Sequence, residues 1–201
     1  MSAVEVVVCR TGTANLASVF AGLRRAGGAP RMAETVADIE GAGHVMLPGV
    51  GSFGAAMATL EESGMVAPLR ARFAAGRPTI AICVGLQLLC RTSEESPGAE
   101  GLGVIDADIG RFPASVRVPQ FGWNRLTANT DCRLIESGYA YFANSYRLAE
   151  RPTGWAVAIA DHGGTFIAAM EKGPLLACQF HPELSGAFGR NLLARWIATP
   201  C

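Results

Sequence analysis

Along the first hundred or so residues, short apolar runs alternate with longer stretches whose apolar positions recur at helical spacing. VEVVV (residues 4–8), HVMLP (44–48) and TIAIC (79–83) are the short runs. ANLASVFAGLRRAGG (14–28) and the span from Ser52 to Gly76 carry the helical pattern. Strands that alternate with helices predict βαβ units, and hence a parallel sheet with helices on both faces. The VVV and IAI runs have no polar side, as expected of strands buried within such a sheet.

From about residue 101 the texture changes. VRVPQFGWNRL, YAYFANSYRL, WAVAIA, FIAAME and LLACQF are β-like pieces broken by Gly, Pro and Asn. They predict an antiparallel region folded against the first half, and GRNLLARWIA predicts a last helix that packs back on the sheet. No repeat or low-complexity linker divides the chain. A length of 201 residues suits one hydrophobic core. The reading is a single α/β domain over residues 1–201, with a mostly parallel central sheet and an antiparallel β region in the second half.

Composition narrows the partners. The formal net charge is zero and charged residues make up 17% of the chain, so no single-sign field draws in nucleic acid or an anionic membrane. A small molecule or a protein is the expected partner. The six cysteines, Cys9, Cys83, Cys90, Cys132, Cys178 and Cys201, are irregularly spaced and form no C-x-x-C pair. That fits a protein of the reducing cytosol and calls for no metal or cofactor. MSAVEVVVCR has neither a basic leader nor a small-residue cleavage pattern and reads as a first strand. Nothing approaches a membrane span.

Candidate chemistry starts at Cys83, within AICVGLQLL (81–89). A free cysteine in an apolar run commonly behaves as a small buried hydrophobe. Cys83, however, stands where a strand-like run passes into a helix-like one. A tight turn there exposes its corner side chain, as the G-x-S-x-G elbow does. Ala81 and Gly85 are small where strand and helix backbones must approach, a requirement that mere packing of a cysteine does not impose. A thiol at a helix N-terminus is favoured as the thiolate. The backbone N–H of Val84 would point toward an oxyanion developing during attack on a carbonyl. LPGVGSFG (47–54) lacks the Gly-Lys-Ser/Thr of a phosphate loop, and its Val50 and Gly51 amides are candidates for a second oxyanion donor.

A catalytic cysteine needs a base, and the chain offers His44, His162 and His181. His44 opens an apolar strand and His162 lies in the turn-like DHGG, so both read as structural. His181 precedes Pro182 and is therefore biased toward extended geometry. Residues i and i+2 of an extended chain share a side, which would let Glu183 reach the imidazole and fix its tautomer. H-x-E by itself reads as a strand end with a solvated acid. Beside a cysteine elbow at the C-terminal edge of the same sheet, where open α/β sheets place their sites, it reads as base and orienter.

A cysteine elbow followed about a hundred residues later by H-P-E resembles the triad, or class I, glutamine amidotransferases. Within that family the chain is similar to the glutaminase subunits of imidazole glycerol phosphate synthase. The motifs NLASV, LPGVGSFGAAM, ICVGLQLLCRTSEE, GLGVI, RFP, VPQFGWN, YFANSY, FIAAMEKG and QFHPELSG spread the resemblance over the whole chain. VP-x-x-GWN separates this branch from anthranilate and carbamoyl phosphate glutaminases. The resemblance implies a three-layer, flavodoxin-like fold. It implies that Cys83 attacks the side-chain amide of L-glutamine, releasing ammonia and leaving a thioester that water hydrolyses. His181 would shuttle protons and Glu183 orient it, while Gln87, Glu95 and the backbone around Ser145 and Tyr146 hold the substrate's α-amino and carboxylate ends. Gln87 and Glu95 equally suit an ordinary helix end.

It further implies a cytoplasmic heterodimer with a (β/α)8-barrel cyclase subunit that receives the ammonia. Gln120, Phe121, Trp123 and Asn124 of VPQFGWN would lie at that contact, where aromatics are favoured, although Phe121 and Trp123 also suit buried packing. Some positions depart from the family pattern. Arg10 and Thr11 replace an acid and a tyrosine, Gln120 replaces the histidine of VPHMGWN, Asn144 that of F-x-HSY, and Leu184 the lysine of HPEKSG. Several of these are expected on surfaces that dock the partner or couple it to catalysis. Three other functions fit the same residues: a Cys-His-acid hydrolase of another class, a non-catalytic glutaminase-like subunit, and a glutaminase subunit serving a different acceptor synthase. The complete Cys83, His181 and Glu183 set speaks against the second.

Overall fold

The computed structural model describes residues 3–12 and 15–201, so Met1, Ser2, Thr13 and Ala14 lie outside the described residues. Ala14 is the head of the predicted first helix. The predicted strands of the first half are β1 (Val4–Val8), β3 (His44–Leu47) and β4 (Thr79–Ile82). A further strand, β2 (Gly28–Met32), was not legible from apolar pattern. Its sequence GAPRM contains Pro30, and it pairs only with β1 at the sheet edge, where a missing N–H is tolerated.

The helices of this half are α1 (Leu16–Arg25), α2 (Val36–Gly41), α3 (Phe53–Glu62), α4 (Val66–Ala74) and the short α5 (Val84–Leu88). The continuous Ser52–Gly76 pattern is thus two helices. Gly64, at φ +70°, ends the first of them, since a left-handed residue closes a helix most easily when it lacks a Cβ.

The second half supplies β5 (Thr92–Ser93), β6 (Asp108–Arg111), β7 (Gln120–Ala128), β8 (Gly138–Asn144), β9 (Tyr146–Arg147), β10 (Ala156–Asp161), β11 (Thr165–Lys172) and β12 (Leu175–Cys178). A 3-10 turn over Pro182–Leu184 leads into α6 (Gly186–Ile197). One nine-stranded sheet runs β2-β1-β3-β4-β12-β11-β10-β7-β8. It is parallel from β2 to β12 and antiparallel beyond. The antiparallel region therefore extends the first sheet edge to edge and does not stack on it, because β12 pairs in parallel beside β4.

Val6, Val7, Val8, Ile80, Ala81 and Leu176 are fully buried, as strands covered on both faces require. Helices α1 and α6 pack together on one face, and α2 and α4 on the other, the three-layer arrangement that right-handed crossovers produce. At its far end the sheet curls. The backbone N–H of His181, just past β12, donates to the carbonyl of Tyr141 on β8 at 2.9 Å. The last strand thus returns over the C-terminal edge of the parallel strands, and the site is built in that angle.

Candidate active site

Strand β4 ends at Ile82, and Cys83 turns the chain into α5 with φ +55° and ψ −111°. Among the described residues it is the one non-glycine residue at positive φ, a conformation that costs ~1–3 kcal/mol and persists only when the surroundings enforce it. They do so here. The Cys83 N–H donates to the Cys178 carbonyl at 2.7 Å, which pins the corner to β12. A Cβ at position 85 would stand 2.1 Å from the Leu47 carbonyl oxygen, so only glycine lets α5 lie against the end of β3. A Cβ at position 49 would stand 2.7 Å from the Gly85 nitrogen, so the glycine-rich loop sits directly on the elbow. Buried Thr11 holds that loop from behind: its hydroxyl donates to the Pro48 carbonyl at 2.9 Å.

The base arrives by a different local geometry from the one expected. His181 is extended (φ −98°, ψ 96°), as a residue before proline should be, but Pro182–Leu184 then forms a 3-10 turn. The turn, and not an extended i, i+2 relation, brings Glu183 Oε1 to 2.9 Å from His181 Nδ1. Both side chains are more than nine-tenths buried. Helix α1 presses on the pair from outside: a Cβ at Gly22 would lie 2.7 Å from Glu183 Cβ, and Arg25 donates to the Glu183 carbonyl at 3.2 Å. The Ser185 hydroxyl donates to the His181 carbonyl at 2.6 Å and accepts from the Tyr141 N–H at 2.9 Å.

Burial disfavours charge on His181, but hydrogen bonds to Cys83 and Glu183 and the attraction of both groups outweigh it. The imidazole pKa is pushed up to about 10. At neutral pH the ring therefore holds a proton beside Cys83.

A cavity of about 350 Å³ gathers most of the expected residues. Cys83, Val84 and His181 line it together with Val50, Gly51, Gln87, Glu95, Ser145 and Tyr146. Glu183 stands behind His181, outside the cavity lining. Gln87 donates from Nε2 to the Tyr146 carbonyl at 3.3 Å and to Gln179 Oε1 at 3.1 Å. Glu95 Oε2 accepts the Phe53 N–H at 2.7 Å, at the start of α3. Sequence reasoning missed Gln179, whose Nε2 lies 3.7 Å from Cys83 Sγ. The available signal was its position two residues before His181 in an extended run. A larger cavity, about 780 Å³ and lined in part by Phe73, Trp155 and Leu175, has no cysteine or histidine in its lining.

The outward face of β7 and β8 carries Phe121 (74% exposed), Trp123 (58%) and Tyr139 (61%). Tyr141 makes edge contacts with the rings of Phe121 and Trp123 at 5.7 and 6.1 Å. Buried packing is thereby ruled out for both aromatics. Gln120 corrects the expectation of a partner-facing side chain: it is 5% exposed, because alternation along the pleat turns position 120 inward where 121 and 123 turn outward. Asn124 donates to the Asp161 carbonyl at 2.9 Å. Thr11 and Asn144 are buried as well, so of the departures only Arg10 and Leu184 lie at the surface. A third cavity, of about 420 Å³, lies at this face and is lined by Gln120, Phe121, Trp123 and Asn124 among others. Pro119 and Phe121 line both cavities.

Among the described residues, no group of three or more His, Cys, Asp or Glu is placed to hold a metal ion, and no helix is long and apolar enough to cross a membrane.

This geometry has counterparts in known proteins. The family model described as glutamine amidotransferase class-I matches residues 28–198. The imidazole glycerol phosphate synthase subunit HisH of Symbiobacterium thermophilum is 36% identical over 201 residues, covering 98% of this chain and 95% of the relative. The subunit HisH of Deinococcus radiodurans is 40% identical over 201 residues, covering 97% and 94%. A crystal structure of a glutamine amidotransferase superposes with a TM-score of 0.76 at 22% identity, covering 96% of each chain, a likeness of fold.

Proposed function

This chain belongs to the class-I glutamine amidotransferase family, in its imidazole glycerol phosphate synthase HisH branch, and on that premise we propose how its residues act. Cys83 is the nucleophile of a glutaminase that supplies ammonia for histidine biosynthesis, and His181 and Glu183 complete the triad. The observation that carries this reading is the enforced positive-φ corner at Cys83, in one cavity with His181, whose ring is held by Glu183 at 2.9 Å.

Cys83 Sγ attacks the carboxamide carbon of L-glutamine. The oxyanion is met by the Val84 N–H and by amides of the Val50–Gly51 loop, a contribution of ~10²–10³ in rate for each donor. His181 protonates the departing nitrogen, the C–N bond breaks, and ammonia leaves a glutamyl thioester. The imidazole then takes a proton from water, whose oxygen attacks the thioester. Glutamate departs as the C–S bond breaks, the sulfur of Cys83 leaves as thiolate, and the proton taken from water stays on His181, which restores the starting pair. Glu183, hydrogen-bonded at Nδ1, keeps Nε2 toward the sulfur. Gln87, Glu95, Ser145 and Tyr146 form the wall that holds the amino-acid end of the substrate, with the Glu95 carboxylate the natural partner for its α-ammonium group.

The aromatic face of β7 and β8 docks the cyclase subunit, a (β/α)8 barrel. Ammonia protonates in open water and then no longer reacts as a nucleophile, so a sealed contact over this exit has a chemical purpose. The reduced thiol that the mechanism needs suits the cytoplasm, and the chain works as a single domain over residues 1–201.

The test is glutamate production from glutamine by the purified chain, alone and with the cyclase subunit and its nucleotide ligand. Activity that rises in the complex and is lost in Cys83→Ala, while the complex still uses added ammonia, is the expected result. Silence of the wild-type complex, or hydrolysis retained by Cys83→Ala, overturns it.

A further inference from the structure

Strands β7 and β8 set Gln120 and Asn144 directly opposite each other. Such partners have Cβ atoms ~4.5–5.5 Å apart and share a face of the sheet. Both are almost wholly buried, at 5% and 4% exposure. Asn144 Nδ2 donates to the Tyr146 carbonyl at 2.9 Å, which fixes the orientation of its amide, since a flip would set oxygen against oxygen. That leaves Asn144 Oδ1 and Gln120 Oε1 as buried acceptors with no hydrogen bond from the protein. An apolar pair would fill the same space without the cost of desolvating two carbonyls. The location is equally specific. Asn144 lines the catalytic cavity and Gln120 the outer one, with Pro119 and Phe121 forming walls of both.

We propose that Gln120 and Asn144 are a transfer site for ammonia, passing it from the catalytic cavity to the cavity at the docking face. The inference rests on the glutaminase reading above. When the C–N bond of the tetrahedral adduct breaks, the nitrogen leaves as NH3, carrying the proton given by His181. Each amide oxygen then accepts one N–H. Neither side chain gives or takes a proton, so the molecule remains neutral and reactive as it moves on. Two buried acceptors on opposed residues of neighbouring strands also suit water, and Asn144 alone would suit the substrate's ammonium group. The experiment separates these.

In the assembled synthase, glutamate formed is compared with cyclase product formed, at saturating glutamine. Gln120→Met keeps the volume and removes the acceptor. Loss of one hydrogen bond to a neutral partner shifts a partition by roughly twofold to tenfold, so glutamate is expected to exceed product by about that factor. The KM for glutamine and the affinity for the cyclase subunit are expected to stay as in wild type. Gln120→Glu, which retains an acceptor oxygen, is expected closer to parity, and Gln120→Leu carries the same test if Gln120→Met does not fold. Parity in Gln120→Met, or in Gln120→Leu where Gln120→Met does not fold, assigns the oxygens to water and overturns the transfer site. A raised KM at parity assigns them to substrate and also overturns it, as does a leak that tracks weakened subunit association. A wild-type synthase that forms no glutamate overturns the glutaminase reading, and the transfer site with it.

Discussion

Arg72 and the Gln120–Asn144 pair are buried to the same degree and could hardly be treated more differently. Arg72, on α4, is 2% exposed and has no carboxylate among its acceptors. Its guanidinium donates to the carbonyls of Ile39, Ala42, Gly43 and Pro78 and to Thr79 Oγ1, so its donors are spent on the backbone between α2 and β4. Burial lowers its pKa to about 10, helped by repulsion from Arg77, and it remains a cation at neutral pH. Glu171 is treated the same way: its two oxygens accept the N–H groups of Arg133, Leu134 and Ile135.

At the C-terminal edge of the sheet the satisfaction is incomplete. Glu183 Oε2, Gln120 Oε1 and Asn144 Oδ1 are buried without a partner, around a backbone corner held at positive φ. Closed polar cages hold loops in place, whereas open valences beside a cavity are kept for something that arrives. Arg195 Nη2 and Glu183 Oε2 show that the second criterion matters, since both are unpartnered and neither residue lines the two cavities described at this edge.

The comparison breaks most visibly at Glu183. Glu183→Gln keeps the shape but inverts the hydrogen bond that fixes the imidazole tautomer, and kcat for glutamine hydrolysis is expected to fall ~10³–10⁴-fold with folding nearly unchanged. Steady-state kinetics beside circular dichroism checks this, and a loss below about tenfold removes Glu183 from the triad. Arg72→Leu should do the reverse. It strands several buried carbonyls and is expected to cost ~3–5 kcal/mol in urea unfolding, with kcat of the folded fraction intact. Stability within 1 kcal/mol of wild type, roughly the net value of one hydrogen bond, would show that the cage holds nothing.

A smaller effect concerns pH. The folded-state pKa of His181 lies near 10, above its ordinary value of 6.5. Its contribution to stability is therefore complete below about pH 6.5 and is lost as pH rises through about 10, because the native state binds the extra proton in that window. Denaturant unfolding at pH 6, 8 and 10 is expected to show declining stability, with a shallower decline in Glu183→Gln. Parallel slopes in the two proteins would mean that Glu183 does not hold the proton on the ring.

The elbow was legible because sterics dictate it: Gly85 and Gly49 are demanded by backbone approaches under 3 Å, and such demands are written in residue type. Cys83 and His181 could be placed at one sheet edge for the same reason, since strand and helix periods locate edges. The route from His181 to Glu183 was not legible, because a 3-10 turn and an extended segment both follow a residue that precedes proline. The insertion of β12 beside β4 is a long-range pairing that no local period encodes. β2 escaped because an edge strand need not be apolar. The burial of Gln120 was in fact readable, from the alternation in QFGWNRL that ends on buried Leu126. The motif reads as one surface along the chain, whereas its pleat makes it two.

Those two surfaces give the finest test. Phe121 and Trp123 point away from the core, and Trp123 meets the protein chiefly through the edge of Tyr141 and the neighbourhood of Gly186. Trp123→Ala removes little packing, so unfolding should shift by less than about 0.5 kcal/mol. If this ring is an anchor of the docking face, the same change weakens association with the cyclase subunit by ~1–2 kcal/mol, about a tenfold rise in Kd by calorimetric titration. Basal glutaminase activity of the isolated chain should not move. Unchanged affinity would strip the aromatic face of its partner while leaving the inward face of the same strand, and the open valence of Gln120, untouched.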